Sequence, residues 1–173
     1  MIDNATLIEQ LAIRGVRHLR AATAGDGSSE LSDEALIVEL AAHPDPRFRE
    51  ALIALFLRHP EYAPAVHRLA ASEDSPTETV LQHMYTAAVY LQRLWKGTLG
   101  LYLGEMAWLP DYFGSATYGL PPPEEHFGEA GLRALADLFR QTTGMEWLSA
   151  YQSAAAHLLT SLRLESSHGA HTA

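Results

Sequence analysis

Residues Ser75–Trp95 read SPTETVLQHMYTAAVYLQRLW, and this stretch decides the fold class. Ser75 is a favourable N-cap, Pro76 suits the first helical position, and Glu78 stands three residues after the cap, which together form a capping box. Apolar residues then recur every three or four positions. A long helix with such a wide apolar face is typical of the central element of a helical domain, so we expect the other helices to pack against it.

Helical periodicity predicts further helices on both sides of this one. The first is capped by Asp3 or Asn4 and extends to about Leu19, and the others cover about 32–42, 47–58, 62–71, 129–142 and 146–164. No apolar–polar alternation is long enough for a β-sheet. We therefore predict an all-α, single-domain bundle of six or seven helices over residues 1–165, followed by a flexible C-terminal tail at 166–173.

The composition describes a folded chain with an excess of acidic residues. Of 173 residues, 47% are hydrophobic and 19% are charged, which suffices for the core of one domain. The formal net charge of -9 disfavours binding to nucleic acid or to an anionic membrane surface. The absence of cysteine excludes disulfides, thiolate metal sites and cysteine nucleophiles.

Other sequence features bear on location. The N-terminus lacks the basic and apolar regions of a signal peptide, and the most apolar stretch, Thr98–Pro110, is too short to span a bilayer. One Lys against eleven Arg is typical of a GC-rich bacterial genome. We therefore expect a cytoplasmic bacterial protein without a membrane span.

Between the central helix and the last two helices lies a long aromatic-rich connector, Gly100–Gly128. It contains four acidic residues and no Lys or Arg. Its aromatic side chains form either an internal lid or a recognition surface, because Tyr and Trp offer large rigid contact areas. For the second case we predict partner-binding residues Tyr102, Trp108, Asp111, Tyr112 and Tyr118, with the acidic Asp111 orienting a basic partner.

No motif for catalysis, metal binding or cofactor binding is found. The nine histidines include no His-Glu-x-x-His pair, the central helix lacks the carboxylates of a di-iron site, and neither a Gly-x-Ser-x-Gly elbow nor a P-loop occurs. His43 and His59 each precede a proline at a helix end, in two similar segments 16 residues apart. We expect no metal and no cofactor, with His83 and His157 as the first candidates should a metal be found.

Two basic segments deserve comparison with nucleic-acid enzymes. Arg163–His168 resembles the Arg-x4-His motif of the all-helical HEPN ribonucleases, which occur in bacterial toxin–antitoxin pairs, although Leu164 stands where that family has a polar residue. The resemblance implies RNA cleavage by Arg163 and His168. The other segment is a stripe on the first helix, comprising Arg14, Arg17, His18 and Arg20.

The leading hypothesis is a non-catalytic helical interaction or regulatory protein, such as the acidic antitoxin-like partner in a bacterial two-protein system. Its partner would be another protein, and a homo-oligomer is compatible with the sequence. The alternatives are a HEPN-like RNA-processing enzyme and a small-molecule-binding helical bundle. An RNA enzyme should gather its arginines in one groove, whereas a binding protein can leave them scattered. The arginines concerned are Arg14, Arg17, Arg20 and Arg163.

Overall fold

The computed structural model describes residues 2–20, 30–71 and 75–169. This part of the chain is all-helical and contains no β-strand, which confirms the predicted all-α bundle. The helices are α1 (Asn4–Ile13), α2 (Asp33–Ala42), α3 (Pro46–Arg58), α4 (Ala63–Leu69), α5 (Pro76–Leu94), α6 (Lys96–Leu103), α7 (Glu129–Thr143) and α8 (Leu148–Gly169). Two 3-10 turns, Pro60–Tyr62 and Glu125–Gly128, precede α4 and α7.

The described residues thus form eight α-helices rather than six or seven. The additional helix is α6, whose last four residues, 100–103, belong to the segment predicted as the connector. The backbone leaves the helical region at Trp95, with φ -103° and ψ 16°, and a new helix starts at Lys96. This helix could not be predicted from the sequence, because it contains Gly97 and Gly100 and glycine is a poor helix former.

Helix α5 lies at the centre of the bundle. The hydroxyl of Ser75 accepts a hydrogen bond from the N–H of Thr77 at 3.2 Å, so the cap forms where it was predicted. Every residue from Leu81 to Gln92 is buried, because α2, α3, α4, α6, α7 and α8 all contact this helix. A helix buried on all sides acts as the core of the domain, as its apolar sequence indicated.

Helices α3 and α8 pack side by side and run in the same direction. Near their C-terminal ends, Arg58 forms an ion pair with Glu165 at 2.9 Å, and nearer their starts Phe48 and Ala154 line a common cleft. A continuous cluster of buried apolar side chains joins these helices to α1, α2 and α5. None of the helices in the described ranges combines the length and the hydropathy needed to span a bilayer.

The helix that was predicted to reach Leu19 ends instead at Ile13. Gly15 follows with φ +80°, in the left-handed region that favours glycine. The N–H of Val16 donates to the carbonyl of Leu11 at 2.8 Å, which completes a Schellman motif. The chain therefore turns away after α1, and the basic residues that follow do not lie on one helix face.

At the C-terminal end, the last helix includes the first residues of segment 166–173, for which the sequence predicts a flexible tail. Helix α8 continues to Gly169. The hydroxyl of Ser167 donates to the carbonyl of Arg163 at 3.0 Å, and Nδ1 of His168 donates to that of Leu164 at 2.7 Å. These bonds to carbonyls four residues back are compatible with a continuing helix. Residues 170–173 of the predicted tail lie outside the described part.

Candidate functional site

The part of the connector between α6 and the turn before α7, residues 104–124, is held along α5 by hydrogen bonds to its backbone. The hydroxyl of Tyr85 donates to the carbonyl of Pro110 at 2.9 Å. The amide of Gln92 both donates to the carbonyl of Ala107 at 2.9 Å and accepts from the N–H of Leu109 at 2.8 Å. Because these α5 side chains are buried, the connector is fixed on the bundle rather than extended from it.

Three of the predicted partner-binding residues are half-buried tyrosines. Tyr112 stacks on His67 with ring centroids 4.2 Å apart, and the hydroxyl of Tyr118 donates to Oε1 of Gln82 at 2.9 Å. Tyr102 packs against the core from α6. Contacts of this kind are those of an internal lid, so these side chains offer a partner only their remaining exposed edges.

The predicted role of Asp111 was to orient a basic partner. Its Oδ1 accepts from the N–H of Gly114 at 2.8 Å, and its Oδ2 accepts from the N–H and the hydroxyl of Ser115 at 3.1 and 2.6 Å. This carboxylate therefore caps a turn of its own segment, as aspartate commonly does. Its charge is still half-exposed.

Trp108 differs from the other aromatic residues of segment 104–124 because it is 47% exposed. Arg93 lies 4.5 Å and Lys96 5.1 Å from the centroid of its ring, both within the range of a cation–π interaction. The indole forms one wall of an open trough of about 570 Å³ on α6. The other lining residues are Lys96, Gly100, Gly104, Glu105, Met106 and Ala107. We call this feature the Trp108 trough.

A larger cleft of about 610 Å³ opens between α1, α3 and α8. His18 and His157 stack there with ring centroids 5.2 Å apart, and burial together with His157 lowers the pKa of His18 to about 4. Burial also raises the pKa of Glu50 above its usual value. The cleft also contains Arg20 and Arg47, of which Arg47 is paired with Asp45, so the charges nearly balance and indicate no ligand class.

His83 and His157, the first candidates for a metal site, lie in different environments. His83 is buried between α5, α7 and α8, where its Nε2 bonds the hydroxyl of Tyr151 and burial lowers its pKa to about 3. His157 is exposed in the cleft with His18. The described residues contain no group of three or more histidine or acidic side chains placed to hold a metal ion.

His43 and His59, at the ends of the two similar segments, both contact the region around α1. Nε2 of His43 lies 3.0 Å from Oδ1 of Asn4, where α1 begins. Nε2 of His59 donates to the carbonyl of Arg14 at 2.8 Å, where α1 ends. The repeated helix–His–Pro unit thus holds the two ends of one helix, which is a structural role.

The basic residues of the first segment do not form a shared surface. The side chain of Arg14 is 9% exposed and binds Asp33 at 2.9 Å, whereas Arg20 lines the cleft. Arg163 is exposed on α8 and is not among the residues that line the cleft. Arg163 and His168 stand about 140° apart around that helix, at about 100° per residue.

Sequence reasoning missed the contributions of Arg49 and Phe139, which line a small pocket together with His83. No local pattern joins these three residues, because they come from α3, α7 and α5.

Known protein families, curated proteins and solved structures were all compared with the chain, and none of them matches it.

Proposed function

We propose that the protein is a non-catalytic helical interaction or regulatory protein that binds another protein at the Trp108 trough. The observation that carries this proposal is the indole of Trp108, which is 47% exposed on a segment that α5 holds in place. Large aromatic side chains on a fixed backbone are typical anchors of protein interfaces, because little conformational freedom is lost on binding.

The shape and charge of this region support a protein partner. The trough can receive an apolar side chain beside the indole, between Met106 and the small residues Gly100 and Gly104. The chain's net charge of -9 attracts a positively charged partner over a distance and raises its association rate at low salt. An acidic, antitoxin-like subunit of a bacterial two-protein system, acting in the cytoplasm, has these properties.

The experiment is co-purification of a tagged chain from its native host, with Trp108→Ala compared with Phe127→Ala. Phe127 is a matched control, since it is 78% exposed and does not line the trough. The protein that co-purifies is identified, prepared separately and titrated against each variant. We expect Phe127→Ala to bind like the wild type and Trp108→Ala to bind about 30-fold more weakly, which corresponds to about 2 kcal/mol.

Equal affinity of the partner for the wild type, Trp108→Ala and Phe127→Ala would place the interface elsewhere and refute this proposal.

The enzyme alternative has its own test, which is cleavage of RNA by the purified protein. We expect no cleavage and no effect of His168→Ala. RNA cleavage that His168→Ala abolishes would replace the interaction hypothesis with that of a HEPN-like ribonuclease.

A further inference from the structure

The small pocket lined by Arg49, His83 and Phe139 has a volume of about 190 Å³ and lies between α3, α5, α7 and the start of α8. Its walls are mainly apolar and are formed by Val80, Met84, Phe139 and Trp147. An apolar cavity of about 150 Å³ is large enough for benzene. The pocket therefore has room for one small ring or a branched aliphatic group.

The buried imidazole of His83 supplies a polar atom that has no partner. The side chain lines the pocket and is 3% exposed. One ring nitrogen, Nε2, bonds the hydroxyl of Tyr151, and the ring is held against Phe139 with centroids 3.5 Å apart. The other nitrogen, Nδ1, makes no hydrogen bond within the described part of the chain.

The hydrogen bond to Tyr151 favours one of the two ring nitrogens of His83 as the site of its proton. Burial lowers the pKa of His83 to about 3, so the ring is neutral at pH 7 and has one N–H. If Nε2 carried that proton, the hydroxyl proton of Tyr151 and the lone pair of Nδ1 would both lack a partner, whereas the other tautomer leaves only one donor unpaired. The favoured arrangement has Tyr151 donating to Nε2, which leaves Nδ1–H as a donor without an acceptor.

Arg49 adds a positive charge to the same pocket. Its side chain is half-buried and lines the pocket, and its guanidinium forms no ion pair within the described ranges. The hydroxyl donors of the nearby Thr79 and Thr143 already have acceptors. They donate to the carbonyls of Ser75 and Phe139, respectively. A cation and an N–H donor are thus left beside apolar walls.

We propose that this pocket binds a small monocarboxylate with a single-ring or branched apolar body. The apolar body contacts Phe139 and Trp147, and the carboxylate accepts a hydrogen bond from Nδ1–H of His83 and pairs with Arg49. Such a ligand satisfies the unpaired donor and the unpaired cation together. The site is separate from the Trp108 trough, so neither proposal depends on the other.

Calorimetric titration at pH 7 tests the class of ligand, with benzoate and phenylacetate compared with the neutral benzyl alcohol. We expect both carboxylates to bind at least tenfold more tightly than the alcohol. Arg49→Met, which keeps the aliphatic stem, should weaken their binding at least tenfold. Arg163→Met should leave it unchanged, because Arg163 is an exposed arginine that does not line the pocket.

Nitrogen-15 NMR tests the position of the ligand without relying on a variant. We expect the free protein to show His83 protonated at Nδ1, and benzoate to shift the signals of this imidazole and of the Trp147 indole. The indole of Trp108 is the internal control and should not shift. Three results would overturn the proposal: equal binding of the alcohol, no binding by either carboxylate, or protonation of His83 at Nε2 in both states. Trp108→Ala should retain full carboxylate binding. The outcome of this test is therefore independent of whether the Trp108 trough binds a protein.

Discussion

Replacing Gly131 with alanine should destabilise the protein, although alanine is the better helix former. Gly131 is buried on α7, and a Cβ added there would lie 2.0 Å from Cε1 of Tyr90 on α5. The ring of Tyr90 is fully buried, and its hydroxyl donates to the carbonyl of Pro121 at 2.8 Å, so the ring has little room to move. Overpacking costs about 1–3 kcal/mol, and so close a contact belongs at the upper end of that range. Since the higher helix propensity of alanine offsets about 1 kcal/mol, we expect a net loss of about 2 kcal/mol.

Urea denaturation and thermal melting measure this change, and for a chain of 173 residues the expected fall in Tm is about 4–8 °C. Gly100→Ala is the matched control, because this helical glycine has no atom within 4 Å of an added Cβ. It should stabilise the protein by up to about 1 kcal/mol. In a Tyr90→Ala background, Gly131→Ala should no longer be destabilising. If Gly131→Ala raises the melting temperature of the otherwise wild-type protein, the close packing of α7 on α5 is refuted.

Three further predictions concern the helix cap, the connector and the buried histidine. Ser75→Ala should reduce stability by about 1 kcal/mol in urea denaturation, because the N–H of Thr77 loses its acceptor; an unchanged midpoint would show that the cap contributes nothing. Trp108→Ala should change Tm little, whereas Tyr112→Ala should cost about 2 kcal/mol because its stacking contacts are lost; equal effects of the two changes would contradict the packing of the connector. The folded state holds the pKa of His83 at about 3, below the ordinary value of 6.5, so the unfolded chain binds the extra proton first. Stability should therefore fall as the pH drops from about 6.5 towards 3, and His83→Phe should flatten that part of the Tm profile against pH.

Most helix starts could be predicted because caps act over a few neighbouring residues. The hydroxyl of Ser32 accepts from the N–H of Ala35 at 3.2 Å, and that of Ser75 accepts from Thr77. Each bond joins residues within four consecutive positions of the sequence. The end of α1 could also have been predicted from a local signal, because glycine often lies just beyond the end of a helix and Gly15 does so here. The apolar periodicity that continues to Leu19 led to the wrong boundary.

The connector and the small pocket could not be predicted in this way. Tyr118 bonds Gln82, which is 36 positions earlier, and Tyr112 stacks on His67 from a different helix. The pocket combines residues of α3, α5 and α7. Each of these contacts depends on how the helices are arranged in space, and the sequence pattern within each helix is the same for many arrangements.

The sequence by itself determined the all-α class, the starts of most helices and the central place of α5, because periodicity and capping are local properties of the chain. Only the tertiary structure decided which aromatic side chains of the connector are packed and that Trp108 is left exposed. It also decided that Nδ1 of His83 and the guanidinium of Arg49 have no partner within the described residues. The physical reason is that burial and pairing depend on side chains brought together from distant parts of the chain, and short-range sequence patterns carry no record of those neighbours.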